Sequence, residues 1–299
     1  MTANSMYPEL DRERAAVIEN IARAVEDGDL FRKVEMGDPT VTPDDVKRVI
    51  VPFDNLRRKP WNKLLSAVAR RIAESETKKR RDTIQLLGVE NALGIEGGAI
   101  ITSNHFNYMD NIPPRMLAME CGRRKRFHIV IQQTNVFMKG FFGFLMRHCN
   151  TLPVSDSPSY MTKNLKPALK TLLSRGDFVL IYPEQEMWYN YKKPRDLREG
   201  AYYYACEMDV PVIPCFTEMR ECEGFDALGF RNVRHVLHVM PPIYPDKSLP
   251  PRERRAKMRE EDREAKRECY KRIYGDYPTD KFDPVSDIAG YNACSDDVW

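Results

Sequence analysis

Between residues 96 and 245 the sequence alternates short apolar runs with helix-patterned stretches, and no other feature constrains the fold as tightly. The runs cover 99–102, 127–131, 178–182, 212–216 and 233–239, with helical stretches at 165–173 and 199–207 between them. Each run is too short for a helix, and most are too apolar for a strand with one wet face. Strands of this kind, separated by helices, predict an α/β fold with a mostly parallel central sheet covered by helices on both faces. Ligands of such sheets sit beyond the carboxyl ends of the strands, so the residues just after each run are the first candidates for chemistry.

The flanks read differently. Residues 1–95 look helical, an N-terminal segment set apart from an α/β domain at 96–248 and a charged helix with an irregular tail at 249–299. Ala15, Ala16, Ile18, Ile21, Ala22 and Val25 form one stripe, and Thr42-Pro43-Asp44-Asp45 is a capped helix start. Trp61, Leu64, Leu65, Val68 and Ile72 recur at helical spacing within a basic stretch, residues 57–81, that holds ten Lys or Arg and two acids. Such a helix either docks on its own core or lies on a membrane surface, with Trp at the interface and cations toward anionic headgroups. The segment 251–275 reads as a solvated helix with i,i+4 acid–base pairs and no assigned function.

Composition narrows the classes. With 42% hydrophobic and 30% charged residues the chain is globular, and its net charge of +3 with no nucleic-acid motif argues against nucleic-acid partners. No apolar stretch is long enough to span a bilayer, and the N-terminus lacks the pattern of a signal peptide. Seven scattered cysteines form no CxxC pair, which points to a reducing cytosol and no metal site. The expectation is a cytoplasmic protein held peripherally at the inner face of the membrane.

After the first run comes Ser103-Asn104-His105-Phe106-Asn107-Tyr108-Met109-Asp110. If the intervening residues turn into a helix, Asp110 can fix the tautomer of His105 and steady its imidazolium, leaving the other ring nitrogen to take a proton from an alcohol. The spacing by itself is a weak signal; a capping or surface pair has the same form. After the third run comes Tyr182-Pro183-Glu184-Gln185-Glu186, a strand-end carboxylate placed either to bind a polyol or to cap the next helix. Then Arg198-Glu199-Gly200-Ala201 leads to Val210-Pro211-Val212-Ile213-Pro214.

In this order the set resembles the glycerolipid acyltransferases of the 1-acylglycerol-3-phosphate (PlsC-like) type, over roughly residues 85–245. The resemblance implies that His105 is the general base and Asp110 its partner. It implies acceptor binding by Asn104, Tyr182, Pro183, Glu184, Gln185 and Arg198, and an O-acyltransferase of phospholipid biosynthesis. The co-substrates would be an acyl thioester donor, acyl-CoA or acyl-carrier protein, and a lipid acceptor; no bound cofactor or metal is implied. A non-catalytic lipid-binding relative is the alternative, and oligomeric state is not set.

Two departures bear on the acceptor. Where the family places a phosphate-binding Arg in its second block stands Asp156, and in the third block Gln185-Glu186-Met187 replaces Gly-Thr-Arg. Acids there disfavour a phosphomonoester and suit a neutral, zwitterionic or cationic acceptor, unless Lys139, Arg147, Lys163 or Arg198 supplies the charge. The Phe- and Met-rich stretch 136–147, with Phe137, Met138, Phe141 and Phe142, is read as an acyl groove, as an interfacial insertion or as core packing. Arg123-Arg124-Lys125-Arg126 is either a grip for coenzyme A phosphates or a solvated loop.

Overall fold

The computed structural model describes residues 14–122, 126–226 and 228–292. Arg123, Arg124 and Lys125 of the basic quartet, and Cys294, lie outside them. The chain runs α1 (Arg14–Glu26), α2 (Pro60–Lys79), β1 (Ile84–Leu87), β2 (Ala99–Thr102), α3 (Ile112–Glu120), β3 (Phe127–Gln132), α4 (Gly140–His148), β4 (Thr151–Val154), α5 (Lys166–Ser174), β5 (Phe178–Ile181), α6 (Gly200–Met208), β6 (Val212–Phe225), β7 (Arg231–Val239) and α7 (Pro251–Tyr274), with short helical turns between. Thr42 caps the turn at Pro43–Asp45 with a full capping box, as its sequence predicts.

The strands form one seven-stranded sheet in the order β1-β7-β6-β2-β5-β3-β4. From β6 to β4 all neighbours are parallel, whereas β7 runs antiparallel to β6 and carries β1 beside it in parallel. Ile100, Ile101, Phe178, Val179, Leu180, Val212 and Ile213 are fully buried, as strands covered on both faces must be. Two strands go beyond the sequence pattern. β1 interrupts the helical reading of residues 1–95; its partner β7 lies far along the chain, so no local signal announces it. β4 contains Pro153 and occupies an outer edge, where a missing N–H is tolerated.

The central strand β2 lies between β5 and β6, with Thr102 level with Ile181 on one side and Pro214 on the other. The segments that begin at Ser103 and at Tyr182 therefore leave the sheet side by side. Both flanks then pack around the second of them. Val17, Ile18, Ile21 and Val25 of α1 share a core with Trp188, Tyr191, Phe230 and Ile288. Trp188 Nε1 donates to Arg32 O at 2.9 Å, and Lys193 Nζ meets Asp287 at 2.7 Å.

Helix α7 corrects the reading of 251–275 as a solvated helix. Met258, Asp262, Lys266, Cys269 and Tyr270 form a buried stripe, and Asp262 and Lys266 are 0% exposed. Lys266 pairs with Asp262 and donates to Thr102 Oγ1 at 3.0 Å; Thr102 and Tyr202 donate to Asp262 at 2.7 and 2.5 Å. Nothing in the local pattern separates these two charges from their solvated neighbours, because the partners come from β2 and α6. Lys266→Met strands a buried carboxylate and is expected to cost about 3–5 kcal/mol in urea unfolding, while adding Asp262→Leu recovers much of the loss. A cost under about 1 kcal/mol for the single substitution would contradict a stabilising pair.

The stripe on α2 also departs from ordinary docking. Its buried side is Asn62, Ser66, Ala69, Glu74 and Thr77, while Trp61, Leu64 and Val68 are 57%, 67% and 43% exposed. Further along, α2 packs on α4 and α3. Gly143 makes the turn of α4 possible, since a Cβ there would stand 1.8 Å from Met138 O.

Candidate active site

The eight residues after β2 form a tight turn leading into α3. Asn107 holds it, its Oδ1 accepting from Met109 N at 2.7 Å and its O from Asp110 N at 3.0 Å. This folds Asp110 back onto the chain, and His105 Nδ1 meets Asp110 Oδ2 at 2.6 Å. Asp110 is 2% exposed, and it also accepts from Phe106 N at 3.0 Å and from the Tyr182 hydroxyl at 2.5 Å. With Nδ1–H committed to the carboxylate, Nε2 is the nitrogen able to take a proton. The Tyr182 ring stacks on His105 with centroids 4.1 Å apart and planes within 10°. Burial, and then the Asp110 charge, push the Tyr182 phenol well above its usual value, so it stays a donor.

Glu184 plays a different part from the one its block implies. It is 1% exposed, and its carboxylate accepts from His105 N, from Arg195 N and from Arg195 Nη2 at 3.0, 3.0 and 3.1 Å. Every contact is internal, so Glu184 anchors the histidine's main chain and does not face an acceptor. Trp188 N and Asn190 N complete the anchorage by donating to His105 O and Phe106 O at 3.0 and 2.7 Å. Asn104 is likewise buried, exchanging hydrogen bonds with the Thr217 main chain at 2.8 and 3.1 Å and tying the turn to β6.

Arg195, which packs behind the histidine turn, has no counterpart in the sequence reading. Its guanidinium pairs with Glu184, donates to Leu30 O at 3.1 Å and lies 4.5 Å from the Trp188 ring. A buried glutamate requires a cation, but Lys192, Lys193, Arg195 and Arg198 are all near in sequence, and only the fold selects among them.

The remaining candidates are dispersed. Pro183 is buried and its carbonyl accepts from Arg198 N at 2.8 Å. Gln185 is exposed at φ 66°, a left-handed position that explains a glycine in the resembled block. The Arg198 guanidinium lies 3.6 Å from the Phe31 ring centroid, and Arg147 donates to the carbonyls of Val136 and Met138 at 3.1 and 2.8 Å, so neither is presented as a phosphate ligand. A cleft opens beside the histidine turn, lined by Tyr108, Met109, Asn111, Ile112 and Arg115, by Ile72, Ala73 and Glu76 of α2, and by Phe142, Leu145 and Met146 of α4. Of the expected groove residues only Phe142 lines it. Phe137 packs on the main core, Phe141 is 44% exposed, and Met138 is half-buried away from the lining.

His235 stands behind the turn, its ring 5.2 Å from that of Phe106. Burial lowers it to about 4, against an opposing pull from Asp110 and a smaller push from Arg80. The unfolded chain, at the ordinary 6.5, binds a proton that the folded chain refuses. Stability is therefore full above about pH 6.5 and falls by about 1.4 kcal/mol per unit on acidification toward pH 4. His235→Gln should flatten that slope in denaturation series between those pH values; an unchanged slope would place its origin elsewhere.

Residues 72–218 match the family model described as Acyltransferase. The strand-end histidine turn lies inside the matched residues. Among solved structures, the 1-acyl-sn-glycerophosphate (LPA) acyltransferase PlsC from Thermotoga maritima is similar at 14% identity and TM-score 0.48, over 77% of this chain and 89% of that one. A search of curated proteins found no match.

Proposed function

We propose that this protein is an O-acyltransferase that moves a fatty acyl group from an acyl thioester, carried by coenzyme A or a carrier protein, to a hydroxyl of a lipid acceptor. The observation that carries this reading is the Tyr182–Asp110–His105 hydrogen-bonded chain beside an apolar cleft. The acceptor hydroxyl gives its proton to His105 Nε2 as its oxygen attacks the thioester carbonyl. Asp110 steadies the imidazolium, and collapse of the tetrahedral intermediate expels the thiolate, which leaves as the thiol once protonated. Tyr182 holds the second oxygen of Asp110, so the carboxylate cannot swing from the ring. The test is transfer of labelled acyl groups from each donor to a panel of lipid acceptors. Activity expected with wild type and absent with His105→Ala supports the reading; no transfer from either donor would favour a lipid-binding protein.

The surface of α2 supports peripheral membrane contact. Trp61, Leu64 and Val68 are exposed beside the basic side chains of Arg58, Lys63 and Arg71, and the same helix lines the cleft at Ile72 and Ala73. Among the described residues no helix is long and apolar enough to cross a membrane. Trp61→Ser with Leu64→Ser is expected to reduce co-sedimentation with anionic vesicles at least about tenfold, given about 25 cal/mol per Å² of apolar surface withdrawn from lipid. Unchanged co-sedimentation would remove α2 from the contact.

A further inference from the structure

Arg115 lies on α3, the helix that grows out of the histidine turn, and it lines the cleft. It is 4% exposed. Its guanidinium approaches Cys149 Sγ at 3.9 Å and lies 5.0 Å from the Phe127 ring centroid, and among the described residues it forms no ion pair with a carboxylate. The one acid among the cleft-lining residues, Glu76, is engaged by Lys79 at 2.8 Å and Arg80 at 2.7 Å. Burial of a guanidinium without an anion is costly. A thiol and an aromatic face offset little of that cost.

The cleft explains what could complete the pair. Around Arg115 stand Ile72, Ile112, Ile129, Phe142, Leu145 and Met146, a lining that suits a hydrocarbon chain. Arg115 also lies near enough to Tyr182 to oppose, in small part, the upward push that burial and Asp110 exert on its phenol. The cleft thus offers one buried cation, an apolar wall and a neighbouring general base. The two acids that the sequence places in the phosphate region are occupied: Gln133 donates to Asp156 at 2.7 Å and Gln132 to Glu186 at 2.6 Å.

We propose that Arg115 holds the anionic oxygen group, of the phosphate class, on the headgroup of the lipid acceptor, replacing from α3 the cations missing from the second and third blocks. This rests on the acyl-acceptor reading above. It makes the acceptor a lysolipid that carries its negative charge close to the hydroxyl to be acylated. The planar guanidinium can take two such oxygens at once, which a lysine cannot reproduce.

The test is equilibrium binding, read without turnover. Wild type, Arg115→Leu and Arg115→Lys are titrated with lysophosphatidate, with monoacylglycerol of the same chain length, and with coenzyme A. Wild type should bind lysophosphatidate at least about tenfold more tightly than monoacylglycerol, since charge-assisted hydrogen bonds in a buried site contribute that much. Arg115→Leu should erase the preference, and Arg115→Lys should keep part of it. Equal binding of the two lipids by wild type overturns the assignment, as does a preference that survives in a folded Arg115→Leu. So does loss of coenzyme A binding with lysophosphatidate binding intact. If Arg115→Leu does not fold, the wild-type ratio and Arg115→Lys decide. Failure of catalysis leaves the binding preference standing, and turnover without preference sinks only the role of Arg115.

Discussion

Acyl transfer by His105→Ala is expected to fall about 10³-fold or more, with a thermal midpoint close to wild type. The histidine ring is 22% exposed and contributes little packing, while its removal leaves Asp110 with the Phe106 amide and the Tyr182 hydroxyl as partners. Asp110→Asn should cost about 10²–10⁴-fold, because an amide can donate to Nδ1 and so select the tautomer whose Nε2 already carries a proton. Turnover measured against pH with both variants checks the pair. Activity of His105→Ala within a few-fold of wild type would mean that another group takes the proton.

The second large effect belongs to Glu184. Glu184→Ala leaves the Arg195 guanidinium, 3% exposed as a residue, buried without its carboxylate and removes the acceptor of the His105 amide. The expected loss is about 3–5 kcal/mol in chemical denaturation, with transfer falling as the histidine turn loosens. Combining Glu184→Gln with Arg195→Met should cost less than the two single changes added together, since neither then strands a buried charge. A Glu184→Ala protein as stable as wild type but unable to bind acceptor would restore the direct acceptor role that its block implies.

The site was legible where its contacts are local. His105 and Asp110 meet through a five-residue turn that Asn107 closes, so their spacing carried the geometry. For Tyr182 the resemblance implied acceptor binding; its hydrogen bond to Asp110 and its stacking on His105 come from neighbouring strand ends of the sheet and had no local signal. Glu184 was placed near the chemistry but given the wrong partner, because burial reverses what a carboxylate does. In water it would recruit a ligand; at 1% exposure it must be paired from within. The groove was read from the density of Phe and Met in 136–147, yet helix phase turns Phe142 into the cleft and leaves Phe141 outside.

The sequence by itself determined the alternation of buried strands and helices, the order of the strand-end segments, and the turn that brings His105 to Asp110. Periodicity and short-range turn chemistry encode all three. Only the tertiary structure decided that β7 reverses direction and recruits β1, that Arg195 and not its neighbours closes the Glu184 pair, that Asp262 and Lys266 are core residues, and that Arg115 stands buried in the cleft. Each of these depends on which distant surfaces exclude water together. For a charged side chain that exclusion sets both partner and role, and a linear pattern of charges does not specify it.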